Sequence, residues 1–270
     1  MTDQQHIATT DRTASTLKGR PTWIDLFTSD ADGAAFYRAL FGWNTVDQGA
    51  AFGHYSMIDK DGTFVGGLMG AQPGQPGGPT TWTVYLEVDD IADATARARA
   101  AGAQVMVEPV EVPDTGWMAV VIDPSGAAVG LWQATRFPGF ELPLTAGTPV
   151  WFELMSTDFD AALPFYRDVL GWDISWMGPE GGEDGFRYVT NGKDEKAACG
   201  LCDAKGMIGD APSFWRIYFG VENCDAAAAK VAELGGTVTD GPTDSPFGRF
   251  ATCADPQGAT FQINQEPERG

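Results

Sequence analysis

Apolar and polar residues alternate along two strand-length segments of the chain, TWIDLFTS (22–29) and VWFELMST (150–157). A period of two is typical of a strand with one buried face. A run with helical spacing, AAFYRALF (34–41), follows the first segment, and Gly42 is predicted to end it. The same order recurs behind the second segment. The pattern therefore predicts a strand followed by a helix at two places in the chain.

The rest of each half continues with strands, one more helix and strands again. We predict Asp30 or Asp32 as the residue that caps the first helix, and Gly102 as the residue that ends the second. The segments of the first half are strands HYSMID (54–59) and FVGGLMG (64–70), a connector QPGQPGGP (72–79), a strand WTVYLEVDD (82–90), a helix IADATARARAAG (91–102) and three short strands up to Trp132. Each half is thus predicted to contain two βαβββ units.

Residue identities repeat between the halves in the same order. The Trp-x-acid pair that begins at Trp23 recurs at Trp151, 128 residues further on, and DPSGAAVGLWQ (123–133) matches DPQGATFQINQ (255–265). Ordered matches of this kind predict a tandem duplication. The predicted parts are a disordered tail (1–19), a first domain (20–133), a linker (134–148), a second domain (149–265) and a short tail (266–270).

The predicted fold class is α+β, with two tandem domains that contain four βαβββ units in all. Each curved mixed sheet must bury one face under its helices. The opposite face then encloses a cavity, and such cavities are the usual sites of small-molecule binding. We therefore expect a small-molecule ligand.

The charge balance excludes several classes of partner. The formal net charge is −20, from 37 acidic and 17 basic residues. A nucleic acid or an anionic membrane needs clustered Lys and Arg, so we expect neither partner. The sequence has no apolar run long enough to span a membrane, and its first 20 residues lack the apolar core of a secretory signal. We therefore expect a cytoplasmic protein.

Four cysteines raise the question of a zinc or redox site. Cys199 and Cys202 form a CxxC pair, whereas Cys224 and Cys253 are isolated in the sequence. A structural zinc ion needs four ligands, and the matching segment of the first half has no cysteine. We interpret all four as reduced thiols, with redox or metal chemistry as the alternative.

The ordered motifs DxxxAxxFYxxxLGW, VDDxxxAxxxxxAAGA and DPxGxxxxL, set between strands, resemble the vicinal oxygen chelate superfamily. That superfamily includes glyoxalase I, extradiol dioxygenases, and bleomycin- and fosfomycin-resistance proteins, and the chain looks most like its two-domain actinobacterial members. The resemblance covers about residues 20–265. Because single-domain members dimerise to bring four units together, the resemblance implies that this chain is a monomer.

Metal-dependent members of that superfamily place metal ligands on the first and last strands of their units. Carried onto this sequence, the positions are Trp23, Thr83 and Gly130 in the first half and Trp151, Arg216 and Gln262 in the second. Only Gln262 among them has a side chain that binds a divalent cation. The resemblance therefore implies that no metal cofactor is held there. A Mg²⁺ site built from Asp25, Glu87 or Glu153 is the alternative.

If those positions face the cavities, strand alternation places their neighbours there too. The residues predicted to bind the ligand on this basis are Trp23, Asp25, Tyr85, Glu87, Trp132, Trp151, Glu153, Arg216, Tyr218 and Gln262. Gly130 is predicted to enlarge the first cavity, since a glycine stands in place of a bulky ligand. Core packing of the Trp and Tyr rings, and an ion pair between Arg216 and Glu153, are the alternative interpretations.

Three functions are open at this stage. The first is a metal-independent protein of the resistance or biosynthetic-accessory kind, which binds an aromatic metabolite or drug. The second is a metal-free enzyme that uses Asp25 or Glu153 as an acid or base. The third is a glyoxalase-like lyase or dioxygenase with an atypical metal site. The fold alone does not decide among them, because it hosts all three kinds.

Overall fold

The computed structural model describes residues 18–29, 33–71, 78–179 and 186–267. The first half contains β1 (Pro21–Thr28), α1 (Ala34–Phe41), β2 (Asn44–Asp47), β3 (Ser56–Lys60), β4 (Thr63–Gly70), β5 (Thr81–Glu87), α2 (Ile91–Ala100), β6 (Gln104–Val112), β7 (Gly116–Ile122) and β8 (Ala128–Ala134). The second half contains β9 (Pro149–Ser156), α3 (Phe159–Asp168), β10 (Ser175–Trp176), β11 (Tyr188–Thr190), β12 (Gly200–Asp203), β13 (Phe214–Gly220), α4 (Cys224–Glu233), β14 (Thr237–Ser245), β15 (Gly248–Ala254) and β16 (Thr260–Gln265).

Each half forms one mixed sheet of eight strands. The strand order is β2-β3-β4-β1-β5-β8-β7-β6 in the first sheet and β10-β11-β12-β9-β13-β16-β15-β14 in the second. Strand β1 runs parallel to β4 and antiparallel to β5, and β5 runs parallel to β8. The second sheet repeats these relations. The predicted α+β fold with four βαβββ units is confirmed.

Helix contacts identify which face of each sheet is covered. The Trp82 indole on β5 donates a hydrogen bond to the Tyr37 hydroxyl on α1, at 3.1 Å. Residues that alternate with Trp82, such as Thr83 and Tyr85, therefore lie on the opposite face, here called the inner face. The helix-facing positions carry aliphatic side chains and are fully buried: Ile24, Leu26, Val84, Leu86, Val129 and Leu131.

The C-terminal end of α1 follows the predicted chemistry, whereas its N-cap is Gly33, which provides no side-chain hydrogen bond. Helix α2 ends at Ala100 with Ala101 as its C-cap, and the predicted Gly102 follows with φ 93°. Gly42 has φ 72° and its amide donates to the Arg38 carbonyl, so it ends α1 in the left-handed conformation that glycine adopts most readily. The Asp158 side chain caps α3 by accepting from the Ala161 amide. The predicted caps Asp30 and Asp32, and residues 72–77 of the predicted connector, lie outside the described residues.

The two halves share one hydrophobic core, in which Phe36 and Phe41 of α1 pack against Phe261 and Phe219 of the second half. The Tyr37 hydroxyl donates to the Asp255 carboxylate at 3.0 Å, and the Tyr166 hydroxyl donates to Asp123 at 2.8 Å. These aspartates begin the two DPxG segments. The Phe-Tyr-Arg sequence of each helix thus joins the halves, which leaves the inner faces of the sheets available for other contacts.

Candidate functional site

A carboxylate surrounded by aromatic donors lies at the centre of the first inner face. The Tyr55 hydroxyl donates to Asp25 Oδ1 at 2.5 Å, and the Trp23 indole nitrogen lies 3.0 Å from the same oxygen. The Trp23 nitrogen is also 2.8 Å from the Tyr55 oxygen. Tyr85, the cross-strand partner of Trp23, is hydrogen-bonded to Asp25 as well. Two predicted ligand-binding residues, Trp23 and Tyr85, are therefore brought together around a third, Asp25.

Burial changes the acid–base properties of this cluster. Desolvation raises the pKa of Asp25 above its ordinary value of 3.8, although hydrogen bonds from Tyr55, Tyr85 and Trp23 oppose the shift. Desolvation and the neighbouring Asp25 charge raise the pKa of Tyr55 and of Tyr85 well above 10.0. Both phenols therefore stay protonated as hydrogen-bond donors, and the carboxyl holds its proton to a higher pH than an exposed aspartate does.

Two glycines make room for the tyrosines of this cluster. A Cβ on Gly67 would lie 1.6 Å from the Tyr55 hydroxyl oxygen, and one on Gly130 would lie 2.2 Å from the Tyr85 ring. The prediction that Gly130 enlarges the first cavity is therefore wrong. The space beside Gly130 is filled by Tyr85, whose ring lies across the glycine on the adjacent strand.

The interdomain segment covers part of the first inner face. The Phe137 ring meets Trp23 edge-on with centroids 5.0 Å apart, and its carbonyl accepts a hydrogen bond from the Trp132 indole at 2.9 Å. Trp23 and Trp132 are consequently buried, with 7% and 8% exposure. Glu87 is not part of the Asp25 cluster, because it accepts a hydrogen bond from Arg20 at 2.7 Å.

Beyond Trp132 the first inner face is apolar and open. Trp132 pairs with Met118 across β8 and β7, and Met118 pairs with Val110 on the edge strand β6. Directly opposite residues in adjacent strands share a face of the sheet. Val110 is 46% exposed, and Val107, which pairs with Val120 on the same face, is 39% exposed. We call the stripe formed by Trp132, Met118 and Val110 the apolar inner stripe.

The second sheet repeats the carboxylate cluster but places a positively charged side chain beside the carboxylate. The Tyr218 hydroxyl donates to Glu153 Oε2 at 2.8 Å, and the Trp151 indole donates to the Tyr188 hydroxyl at 3.1 Å. Tyr188 is hydrogen-bonded to Glu153. Arg216 Nη1 lies 3.7 Å from Glu153 Oε2, so the ion pair considered from the sequence is present. The first sheet has Thr83 at the position of Arg216, directly opposite Asp25.

The inner face of the second sheet is polar at two of the three positions that match the apolar inner stripe of the first. Gln262 is fully buried and hydrogen-bonded to the Thr252 hydroxyl at 3.0 Å. Asn264 pairs with Phe250, which pairs with Thr243 on the edge strand. The positions that match the apolar inner stripe are therefore Asn264, Phe250 and Thr243. The duplicated scaffold presents two different surfaces.

Sequence reasoning missed Tyr55 and Tyr188, each of which connects the Trp and the carboxylate of its sheet. Both lie on or next to the strand that pairs with the glycine-containing strand, and they are 133 residues apart. The same offset relates Trp82 to Trp215, so the repeat comparison contained a signal for them. The predicted cavity included only the first and last strands of the units, whereas both tyrosines lie on or beside a middle strand.

The residues at the metal-binding positions of the superfamily do not fit a metal ion. The Trp23 indole nitrogen donates to Asp25, and the Arg216 guanidinium carries a positive charge beside Glu153. Gly130 has no side chain to offer. Among the residues that the structure describes, no three His, Cys, Asp or Glu side chains are grouped as a metal site. The Asp25, Glu87 and Glu153 carboxylates each have different partners and do not form the alternative Mg²⁺ site.

The four cysteines are free and buried. Desolvation raises the pKa of Cys202 to about 12 and that of Cys199 well above its ordinary value. A thiol with a raised pKa is a poor nucleophile and metal ligand at neutral pH. The interpretation of Cys199 and Cys202 as reduced thiols agrees with these surroundings.

A groove of about 960 Å³ lies between the two halves, on the helix-covered side. Its lining includes Phe41 on α1, Leu144 in the interdomain segment and Ala226 on α4, together with the charged residues Lys60 and Glu222. It contains none of the predicted ligand-binding residues. The ring platforms and hydrogen-bonded carboxylates that suit an aromatic ligand lie instead on the inner faces.

Two eight-stranded sheets, each made of paired βαβββ units with aromatic inner faces, define a two-domain protein of the vicinal oxygen chelate class. The model of the Glyoxalase/Bleomycin resistance protein/Dioxygenase superfamily matches residues 20–131 and 148–263, and the chain belongs to that superfamily. No helix within 18–29, 33–71, 78–179 and 186–267 is long and apolar enough to cross a membrane.

Curated relatives match nearly the whole chain. "Putative glyoxylase CFP32" of Mycobacterium tuberculosis is 40% identical over 91% of this chain and 94% of its own length. "Anthracycline biosynthesis protein DauV" of Streptomyces sp. is 35% identical over 91% of this chain and 92% of its own. "Anthracycline biosynthesis protein DnrV" of Streptomyces peucetius has the same identity and coverage.

Solved structures share the fold at low identity. The Mn(II)-bound glyoxalase from Novosphingobium aromaticivorans has a TM-score of 0.63 and 19% identity, and the alignment covers 93% of this chain and 83% of that one. The 2,3-dioxygenase LapB from Pseudomonas sp. KL28 has a TM-score of 0.63 and 16% identity, with 94% and 95% covered. These likenesses establish the architecture, whereas the chemistry depends on this chain's own residues.

Proposed function

We propose that this protein binds a small aromatic metabolite of the polyketide kind on the inner face of its first sheet, without a metal ion. The observation that carries the proposal is the apolar inner stripe, whose outer part, Met118 and Val110, is left open beyond the covered Trp132. Val110 at its outer end is 46% exposed although it continues the surface formed by Trp132 and Met118. Exposed apolar surface beside a few polar groups is typical of a ligand site.

The geometry suits a flat ligand in particular. Offset or edge-to-face contacts between aromatic rings favour planar partners, and the rings of Trp132 and Phe137 already meet in this way, with centroids 6.2 Å apart. The Asp25 carboxyl and the phenols of Tyr55 and Tyr85 add polar contacts that fix orientation. The names of the Streptomyces relatives support a polycyclic aromatic compound as the ligand class.

The metal-independent part of the proposal rests on the donor set. A site that joins an indole, a threonine and a glycine does not hold a divalent cation. We therefore do not propose the lyase or dioxygenase with an atypical metal site, although the structural neighbours include metalloenzymes.

A titration of tryptophan fluorescence with a neutral anthracyclinone tests this proposal. Wild-type protein is expected to show saturable quenching. Val110→Glu adds a charge to the exposed end of the stripe without disturbing the core, and should weaken the affinity by about tenfold or more. Thr243→Glu makes the same addition at the matching edge of the second sheet and should leave the affinity unchanged. Equal loss in both variants, or none in either, contradicts the proposed location.

An enzymatic role for Asp25 is the second candidate. The observation that favours it is the 2.5 Å hydrogen bond from Tyr55 to a carboxyl whose pKa is raised by burial, an arrangement suited to proton transfer. Product analysis after incubation with the bound aromatic compound tests it. Asp25→Asn is expected to abolish conversion while quenching by the neutral anthracyclinone persists. Conversion that survives in Asp25→Asn contradicts this role, and absence of any product leaves binding as the whole function.

A further inference from the structure

We infer that the first inner face selects an aromatic ligand that carries an ammonium group, with Asp25 as its counter-ion, and that the second inner face lacks this selectivity. The inference rests on the proposed function and adds the charge of the ligand to it. It follows from a comparison of two duplicated sites within one chain.

Asp25 has only neutral partners. Its hydrogen bonds come from Tyr55, Trp23 and Tyr85, none of which carries a positive charge. No ion pair joins Asp25 to a Lys or Arg in the part of the chain that the structure describes. A partly buried carboxylate without a counter-ion is costly, and a bound cation would remove that cost.

The aromatic rings around Asp25 favour an ammonium group, in addition to the attraction from the negative charge of the carboxylate. Trp23 lies two residues before Asp25 on the same strand, Tyr85 lies opposite Trp23 on the adjacent strand, and Phe137 covers Trp23. Ring faces attract cations, and sites for alkylated ammonium groups combine aromatic walls with a carboxylate. The net charge of −20 further raises the local concentration of cationic ligands.

The second sheet shows what the first one lacks. Arg216 stands directly opposite Glu153 and its guanidinium lies 3.7 Å from that carboxylate, so the negative charge already has a partner. In the first sheet the residue directly opposite Asp25 is Thr83, which is uncharged. The residue opposite the carboxylate therefore distinguishes the two sites. The first can accept a cationic ligand, whereas the second already contains a cationic side chain.

Calorimetric titration with three probes of matched shape tests the inference. The probes are 2-naphthylmethylammonium, 2-naphthalenemethanol and 2-naphthoate, which are cationic, neutral and anionic. Wild-type protein is expected to bind the ammonium probe about tenfold more tightly than the alcohol, the ratio that about 1.4 kcal/mol of ion-pair and cation–π energy produces. The naphthoate should bind most weakly.

Three variants test whether the preference for the ammonium probe comes from Asp25. Asp25→Asn should remove the difference in affinity between the ammonium probe and the alcohol. Thr83→Arg reproduces the ion pair of the second site and should likewise remove the preference for the ammonium probe. Glu108→Gln removes one negative charge from the exposed edge strand, where Glu108 pairs with Arg99, and should leave the preference unchanged.

The outcomes separate this inference from the proposed function. Equal binding of the ammonium probe and the alcohol to wild-type protein overturns the inference while aromatic binding stands. A preference that persists in Asp25→Asn also overturns it, because the cation would then be bound elsewhere. If neither the three probes nor the neutral anthracyclinone binds, the proposed function fails together with the inference.

Discussion

Gly67 shows how a single missing side chain shapes the site. A Cβ there would lie 1.6 Å from the Tyr55 hydroxyl oxygen and 2.7 Å from Asp25 Oδ1, so only a glycine allows the tyrosine to reach the carboxyl. Gly200 provides the same space for Tyr188 in the second sheet. The glycine-rich strands are therefore part of the site, because the two tyrosines fit in their positions only beside a glycine.

We expect Gly67→Ala to destabilise the protein by about 1–3 kcal/mol, because a methyl group in this space forces Tyr55 away from Asp25. Urea unfolding followed by circular dichroism measures the change. Gly70→Ala on the same strand is the matched control, since a Cβ there meets nothing within 4 Å. Equal stability of the two variants would show that the Tyr55–Asp25 contact is adaptable.

The raised pKa of Asp25 makes stability depend on pH with a defined sign. Over a pH range that begins at about 3.8, the folded protein keeps the Asp25 proton while the unfolded chain has lost it. Stability therefore falls as the pH rises through the folded-state pKa. Asp25→Asn lacks this decline, so its Tm relative to wild type should be more favourable at about pH 7 than at about pH 3.5.

The control for that measurement has the opposite sign. Hydrogen bonds from Arg249 lower the pKa of Asp225, which favours the folded state above that pKa. Asp225→Asn should therefore lose a little Tm at neutral pH, and the loss should disappear at low pH. A pH-independent difference between Asp25→Asn and wild type would rule out a titrating Asp25.

Alternation along the strands was sufficient to predict the two faces of each sheet. Aliphatic positions such as Ile24 and Leu86 lie in the core, and Trp23, Asp25 and Tyr85 share the opposite face. The bounds of α1 (Ala34–Phe41) also match the predicted helical run AAFYRALF. These features depend on local periodicity, which a single sequence contains.

Contacts that depend on which strands become neighbours could not be read from periodicity. The sequence pattern did not show that Tyr85 would cross onto Gly130, or that Phe137 would lie against Trp23. The apolar inner stripe also needs the register of three strands, which sets Trp132, Met118 and Val110 side by side. Such register comes from tertiary packing.

Helices α1 and α3 carry the contacts that join the halves. Tyr37→Phe removes the donor to the buried Asp255 carboxylate and should cost about 1–3 kcal/mol of unfolding free energy. Tyr166→Phe acts on Asp123 in the same way. Urea denaturation of each variant measures the cost. A loss below about 0.5 kcal/mol in both would mean that these bonds do not hold the halves together.

At the scale of the molecule, one continuous core spans both halves and a duplicated scaffold carries two unlike inner faces. The first combines an unpaired Asp25 with an apolar stripe, whereas the second combines an Arg216–Glu153 pair with polar residues such as Gln262. Duplication supplies the symmetry, and the differences between the copies identify the first sheet as the proposed ligand site.

The unity of the core has a consequence for unfolding. Because Phe36 of α1 packs against Phe261, and the hydroxyls of Tyr37 and Tyr166 each bond to an aspartate of the opposite half, the two halves share their buried contacts. We expect wild-type protein to unfold in a single cooperative calorimetric transition. Two separated transitions would show that the halves are independent.

A crystal structure of the protein with a bound polycyclic aromatic compound tests the central claim most directly. We predict that the ligand rings lie against Trp132, Met118 and Val110 on the inner face of the first sheet, within reach of the Asp25 cluster. A ligand bound against the polar inner face of the second sheet, or in the groove beside Phe41 and Glu222, would contradict it.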